Sequence, residues 1–159
     1  MSKTQSKFGV TVNNFNSVAN VEFRNLNQTI IGDAGYTKFD LDGVGGVVLN
    51  NSNGLLTTDL INNGFVAAIK TTKWLVTYSG YVNTDLEDIN NMLISGYVNG
   101  SSIISSVSGM KFEANVGSLK PFSKTFITDI PLGQTFDLRV AAITTDLNIR
   151  LTLVLTQLS

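Results

Sequence analysis

The chain has 159 residues, 11 basic against 12 acidic side chains, no histidine and no cysteine, with 43% hydrophobic and 14% charged residues. That length suits one domain with its own core, and the missing cysteine excludes disulfide frameworks, thiolate metal sites and cysteine nucleophiles. The missing histidine removes the Ser-His-Asp and Cys-His arrangements and the two-His metalloprotease helix, so no enzyme is expected.

Scattered Lys and Arg at a net charge of -1 give no footprint for a phosphate backbone, so no nucleic-acid partner is expected. A mean hydropathy of +0.17 with so few charges implies that another protein covers part of the surface. The polar cover is 17 Asn and 17 Thr, residues that suit left-handed turns and solvated strand faces respectively. No apolar run approaches the about 20 residues that span a bilayer. The polar beginning does not have the layout of a signal peptide. Synthesis in a cytoplasm without membrane insertion is therefore expected.

Taken in chain order, Phe8–Val12 reads as a first strand inside a polar segment, 1–17, that is expected to be an arm or attachment segment. The domain proper is expected over 18–159. Strands are predicted at Val18–Phe23, Gln28–Ile31 and Tyr36–Leu41, and the glycine-rich Gly43–Gly46 forms a turn before Val47–Leu49. This turn is no phosphate loop, because no Lys-Ser or Lys-Thr ending and no helix follow it. Asn50 to Gly54 closes the segment. Leu55–Ile61 reads as a helical turn or a strand by periodicity alone, and Asn62-Asn63-Gly64 ends it.

Strands then lengthen, with Phe65–Ile69, Trp74–Val82 and Met92–Val98. Trp74, Val76, Tyr78 and Val82 share one face, with Leu75, Thr77, Ser79 and Tyr81 on the other. Gly80 inside this strand implies a bulge or the close approach of another backbone. Thr84–Asn91 is an acidic loop or one helical turn. Asn99-Gly100 is the strongest tight-turn signal, and pairs Tyr97-Val98 with Ile103-Ile104. After Pro121 come Phe122–Ile130, Phe136–Ile143 and Ile149–Leu158. The last places Ile149, Leu151, Leu153 and Leu155 on one face against Arg150, Thr152, Val154 and Thr156. About ten strands without an amphipathic helix or a fixed repeat indicate an all-β antiparallel β-sandwich or barrel.

The segments Thr71–Asn83 (TTKWLVTYSGYVN), Met92–Ile104, Phe126–Val140 (FITDIPLGQTFDLRV) and Leu147–Leu158 (LNIRLTLVLTQL) come in a recognisable order. That set resembles the tumour necrosis factor-like jelly roll, the head domain shared by complement-type globular heads, bacterial spore-surface glycoproteins and viral spikes. It covers about 63–158, with Tyr36–Asp40 as a further match, and leaves about 60 N-terminal residues as an arm or extra strands. The resemblance implies a β-sandwich jelly roll that forms a homotrimer by packing one sheet around a threefold axis. It also implies an N-terminal arm that attaches the head to a capsid or other virion protein.

Trp74, Val76, Tyr78, Thr152, Val154 and Thr156 are accordingly candidates for the core or the trimer interface. Tyr81 and Tyr97 are candidates for an exposed ligand-binding surface. Asp40, Asp42, Asp85, Glu87 and Asp88 are the carboxylates that calcium would use, but they lack the spaced series of a calcium loop. Glu113 beside Lys111 reads as a surface pair. No metal, cofactor or catalytic set is expected. The sequence thus points to a non-enzymatic structural protein on a virion surface, a phage head-decoration, head-fibre or spike component. The alternative is a head that binds a host glycan or receptor.

Overall fold

A computed structural model describes residues 18–32, 34–42, 46–84, 90–112, 118–142 and 146–158. In chain order the strands are β1 (Asn20–Ile30), β2 (Thr37–Lys38), β3 (Gly46–Asn51), β4 (Leu56–Asp59), β5 (Gly64–Ala67) and β6 (Thr72–Thr84). They continue with β7 (Asn90–Val98), β8 (Ser101–Ser102), β9 (Ser108–Phe112), β10 (Ser118–Ile130), β11 (Thr135–Ala142) and β12 (Leu147–Gln157), with one 3-10 turn at Ile104–Ser106 between β8 and β9. The segment 1–17, Gly43–Gly45, Asp85–Ile89 and Glu113 lie outside the described residues, and with them the expected strand Phe8–Val12 and most of the acidic loop.

Two antiparallel sheets face each other. One has five strands in the order β10-β6-β12-β1-β3. The other runs β4-β5-β11-β7, with β8 and β9 both on the far side of β7 and β2 beside β11. Several neighbours are far apart in sequence, with β12 beside β1 and β6, β10 beside β6, and β11 beside β7 and β5, so the chain crosses repeatedly between layers, as a jelly roll does. The even-numbered residues of β6 and the odd-numbered residues of β12 turn inward: Trp74, Val76, Tyr78, Val82, Ile149, Leu151, Leu153 and Leu155 are all buried. Phe65, Met92, Ile94, Phe136, Leu138 and Val140 meet them from the opposite sheet. Each such side chain contributes about 1.5–3 kcal/mol by leaving water.

The period-2 reading of β6 and β12 therefore holds residue for residue. Elsewhere the structure differs in instructive ways. Val18–Phe23 and Gln28–Ile31 are one strand, β1, whose pairing with β12 slips between Asn25 and Gln28. The irregularity has its own hydrogen bonds: Asn25 Nδ2 donates to the Asp40 carbonyl at 3.2 Å, and Gln28 Nε2 to the Lys38 carbonyl at 3.1 Å. Those bonds tie 38–40 to β1, so Tyr36–Leu41 contributes only the two-residue β2 rather than a full strand. Leu55–Ile61 resolves as β4 followed by a turn.

The Asn99-Gly100 turn forms as its residue types demand, with φ of 50° and 77°. Its second strand is the short β8, however, and Ile103-Ile104 is not part of it. The chain turns into the 3-10 segment, where Ile104 is 88% exposed. The long strand β10 begins before Pro121 rather than after it. Pro121 is tolerated because β10 is an edge strand, where a missing N–H costs no ladder bond.

Candidate functional site

The candidate residues from the sequence separate by layer. Trp74, Val76 and Tyr78 lie in the core. Trp74 Nε1 donates to Thr72 Oγ1 at 2.6 Å and Tyr78 Oη to the Ser106 carbonyl at 2.7 Å, so both polar tips are satisfied in the interior. Burial pushes the Tyr78 hydroxyl up to about 12. Thr152, Val154 and Thr156 are half-buried on the outer face of the five-stranded sheet. Tyr81 lies on that same face and is 53% exposed. Tyr97 is on β7 in the other sheet, so the two tyrosines do not form one site.

Cross-strand register assembles the outer face of the five-stranded sheet into rows. Ile127, Leu75 and Thr156 form one row, and Thr125, Thr77, Val154, Glu22 and Leu49 the next. Ser123, Ser79, Thr152, Arg24 and Val47 follow, then Pro121, Tyr81 and Arg150. Hydroxyl side chains thus occur in all four rows of this face, and most of the aliphatic ones fall in the first two. At its two edges stand exposed aliphatics: Ile127 (55%) on β10, and Val47 (48%) and Leu49 (51%) on β3. The β3 pair lines an apolar groove of about 170 Å³ with Glu22 and Arg24.

Charges on this face mostly cancel. Glu22 pairs with Arg24, and Asp129 stands opposite Lys73 in the β10–β6 register. Arg150 has no carboxylate partner among the described residues. It borders a dent of about 420 Å³ over Gly80, bounded also by Ser79, Tyr81, Phe122, Ser123 and Thr152. A Cβ on Gly80 would meet the Arg150 carbonyl oxygen at 1.9 Å and Phe122 Cζ at 2.7 Å. Both ladders of β6 run through this point without a slip. Of the two readings of Gly80, close backbone approach is therefore the one realised.

The seven-stranded sheet carries a different polar group. Asp137 is buried although it points away from the core, because Arg139, Lys38 and Tyr97 enclose it. Arg139 Nη2 donates to Asp137 Oδ2 at 3.1 Å, and Lys38 Nζ lies 3.4 Å from the same oxygen. The Asp137 carboxylate holds the Arg139 guanidinium above its ordinary value. Arg139 also stacks 4.0 Å from the Tyr97 ring centre, and Tyr36 meets that ring edge-on at 5.9 Å. Tyr97 is thereby engaged within its own chain, where the sequence leaves it open for a ligand.

The same-face spacing of Asp137 and Arg139 was visible as a charge pair two apart on a strand. What the sequence did not show was the third member, Lys38, brought in by β2. Asp40 and Asp42 share a turn, where hydrogen bonding and repulsion from Asp40 raise the Asp42 carboxyl above the usual range. Their expected companions Asp85, Glu87 and Asp88 lie outside the described residues. Among the described residues no three Asp, Glu, His or Cys side chains gather as a metal site.

These two crossed-over antiparallel sheets define a tumour necrosis factor-like jelly roll. Solved structures share it: the Eiger TNF from S. frugiperda superimposes with a TM-score of 0.61, 9% identity, and coverage of 89% of this chain and 94% of that one. The PRD1 vertex protein P5 superimposes with a TM-score of 0.57, 14% identity, and coverage of 89% and 98%. Both coverages exceed the 63–158 stretch in which the resemblance is legible from sequence, since β1 and β3 complete the five-stranded sheet. No family model matches the sequence, and no curated protein matches it.

Proposed function

We propose that the protein is a non-enzymatic structural component of a virion, a head displayed at the particle surface as a homotrimer and attached through residues 1–17 to a capsid or other virion protein. The virion assignment is supported by the likeness in fold to a phage vertex protein across 98% of that chain. The trimer is supported by one observation above all: each edge of the five-stranded sheet displays exposed aliphatic side chains on its outer face, Ile127 on β10 and Val47 with Leu49 on β3.

Two different apolar edges on one sheet suit a head-to-tail contact, in which Ile127 of one copy enters the Val47–Leu49 groove of the next. Such heterologous contacts close into a ring when the rotation between copies closes, and a threefold rotation gives the trimer. Sedimentation of the full chain is the test of assembly: the expected mass is three times 17.1 kDa, and a monomer at micromolar concentration overturns it. Attachment is tested by saturable binding to purified capsids that a chain lacking residues 1–17 fails to show.

A second reading, a head that binds a host glycan or receptor, is favoured by Tyr81 beside the dent. Glycan-array binding that disappears on Tyr81→Ala is the result it requires.

A further inference from the structure

Five side chains around the Gly80 dent share a property that nothing about folding demands. Ser79, Tyr81, Ser123, Arg150 and Thr152 make no side-chain hydrogen bond or ion pair among the described residues. Elsewhere on the molecule comparable groups are engaged: Thr77 bonds Thr125 at 3.0 Å, Ser95 bonds Ser102 at 2.8 Å, and Arg139 holds Asp137. In the dent, four hydroxyls and one guanidinium converge from β10, β6 and β12 without a partner, and no carboxylate lines the wall. Arg24, already held by Glu22, adds a second guanidinium at the rim.

Resting on the second reading above, we propose that this dent is a binding site for an acidic saccharide unit, a sugar ring bearing a carboxylate or sulfate group. Arg150 takes the anionic group in a charge-assisted, two-pronged hydrogen bond. The Ser79, Ser123 and Thr152 hydroxyls, aligned in one register row, bond the ring hydroxyls. Tyr81 and Pro121 offer the flat apolar surface against which a ring packs. A volume of about 420 Å³ falls in the range of small-molecule sites and far exceeds what a bare inorganic anion fills. One chain lines the whole dent, so the site does not depend on the trimer.

Isothermal titration of the full chain with glucuronic acid, glucose and inorganic sulfate at matched ionic strength tests this. Glucuronic acid should bind at least about tenfold more tightly than either of the other two. The charge-assisted bond to Arg150 supports that ratio, so Arg150→Gln should lower its affinity by at least about tenfold. Tyr81→Ala should weaken it as well. Both residues are exposed, so thermal melts of the variants should match the parent; Thr152→Val serves as an independent probe of the hydroxyl row. Equal affinity for sulfate would make this an inorganic-anion site and overturn the saccharide assignment. Equal affinity for glucose, or glucuronic acid binding indifferent to Arg150, would overturn it too. Sedimentation reports separately: an Arg150→Gln trimer that no longer binds the sugar supports the site, whereas sugar binding by a parent chain that sediments as a monomer leaves the site standing and removes only the assembly.

Discussion

Among the described glycines Gly80 leaves the least room for a Cβ, between the β12 backbone and the Phe122 ring. A single added carbon would need to share space with a carbonyl oxygen, and backbone cannot move aside as a flexible side chain can. Gly100 presents the opposite case. Open space surrounds it, but its φ of 77° is one that only glycine adopts without strain. Gly80→Ala is therefore expected to cost about 3 kcal/mol through overpacking, and Gly100→Ala about 1–2 kcal/mol through backbone strain alone. Urea unfolding of the two variants measures the difference. Equal losses would mean that β6 and β12 separate more freely than the packing around Gly80 allows. Three of the 17 asparagines have a residue-scale reason as well. Asn53, Asn63 and Asn99 hold φ between 50° and 55°, and no other non-glycine described residue has positive φ. Asparagine tolerates that region best among ordinary residues.

At the scale of elements, β7 shows why part of the fold was legible and part was not. Its existence as a strand and the turn after it follow from local chemistry, and both are readable in Met92–Gly100. The loss of the partner strand after Ser102 is not local. Between β8 and β9 the β7 edge has no strand beside it, and the Ser106 hydroxyl fills the gap, accepting a hydrogen bond from the Gly96 N–H at 2.7 Å. Ile103-Ile104 has strand propensity, but continuing the hairpin would take Ser106 away from Gly96 and its carbonyl away from Tyr78. Tertiary hydrogen bonds thus override the local preference. Ser106→Ala should leave a buried N–H without a partner and cost about 1–3 kcal/mol. Ser101→Ala, exposed on β8 and without a side-chain partner among the described residues, should cost less than about 0.5 kcal/mol. Denaturant titration of both separates the readings: similar small losses would show that the gap in β7 is stabilised by something other than the Ser106 hydroxyl.

On the scale of the whole molecule, composition gives only the expectation of a covered surface, and the alternation of β6 and β12 gives which of their residues face outward. Neither indicated which outward residues become neighbours, because that is decided by registers linking β10, β6, β12, β1 and β3 across more than a hundred residues. Thr152 and Arg150 were visible on one face of β12, but Ser79, Ser123 and Tyr81 join them only through pairing. The same registers place Ile127 and Leu49 at opposite edges of one sheet, and that separation makes the proposed assembly directional. Ile127→Glu removes one contact surface and leaves the other intact; Leu49→Glu does the reverse. Each variant alone should sediment as a monomer. Mixed in equal amounts, the intact β10 edge of Leu49→Glu should seat in the intact groove of Ile127→Glu. The pair should then form a dimer that adds no further copies, since both remaining surfaces carry the new charge. A twofold contact through the same face behaves differently, because every pairing in the mixture would include a damaged half and none would associate. Sedimentation of the mixture therefore distinguishes a head-to-tail ring from a face-to-face dimer, and a mixture that stays monomeric while the parent chain associates would exclude the ring.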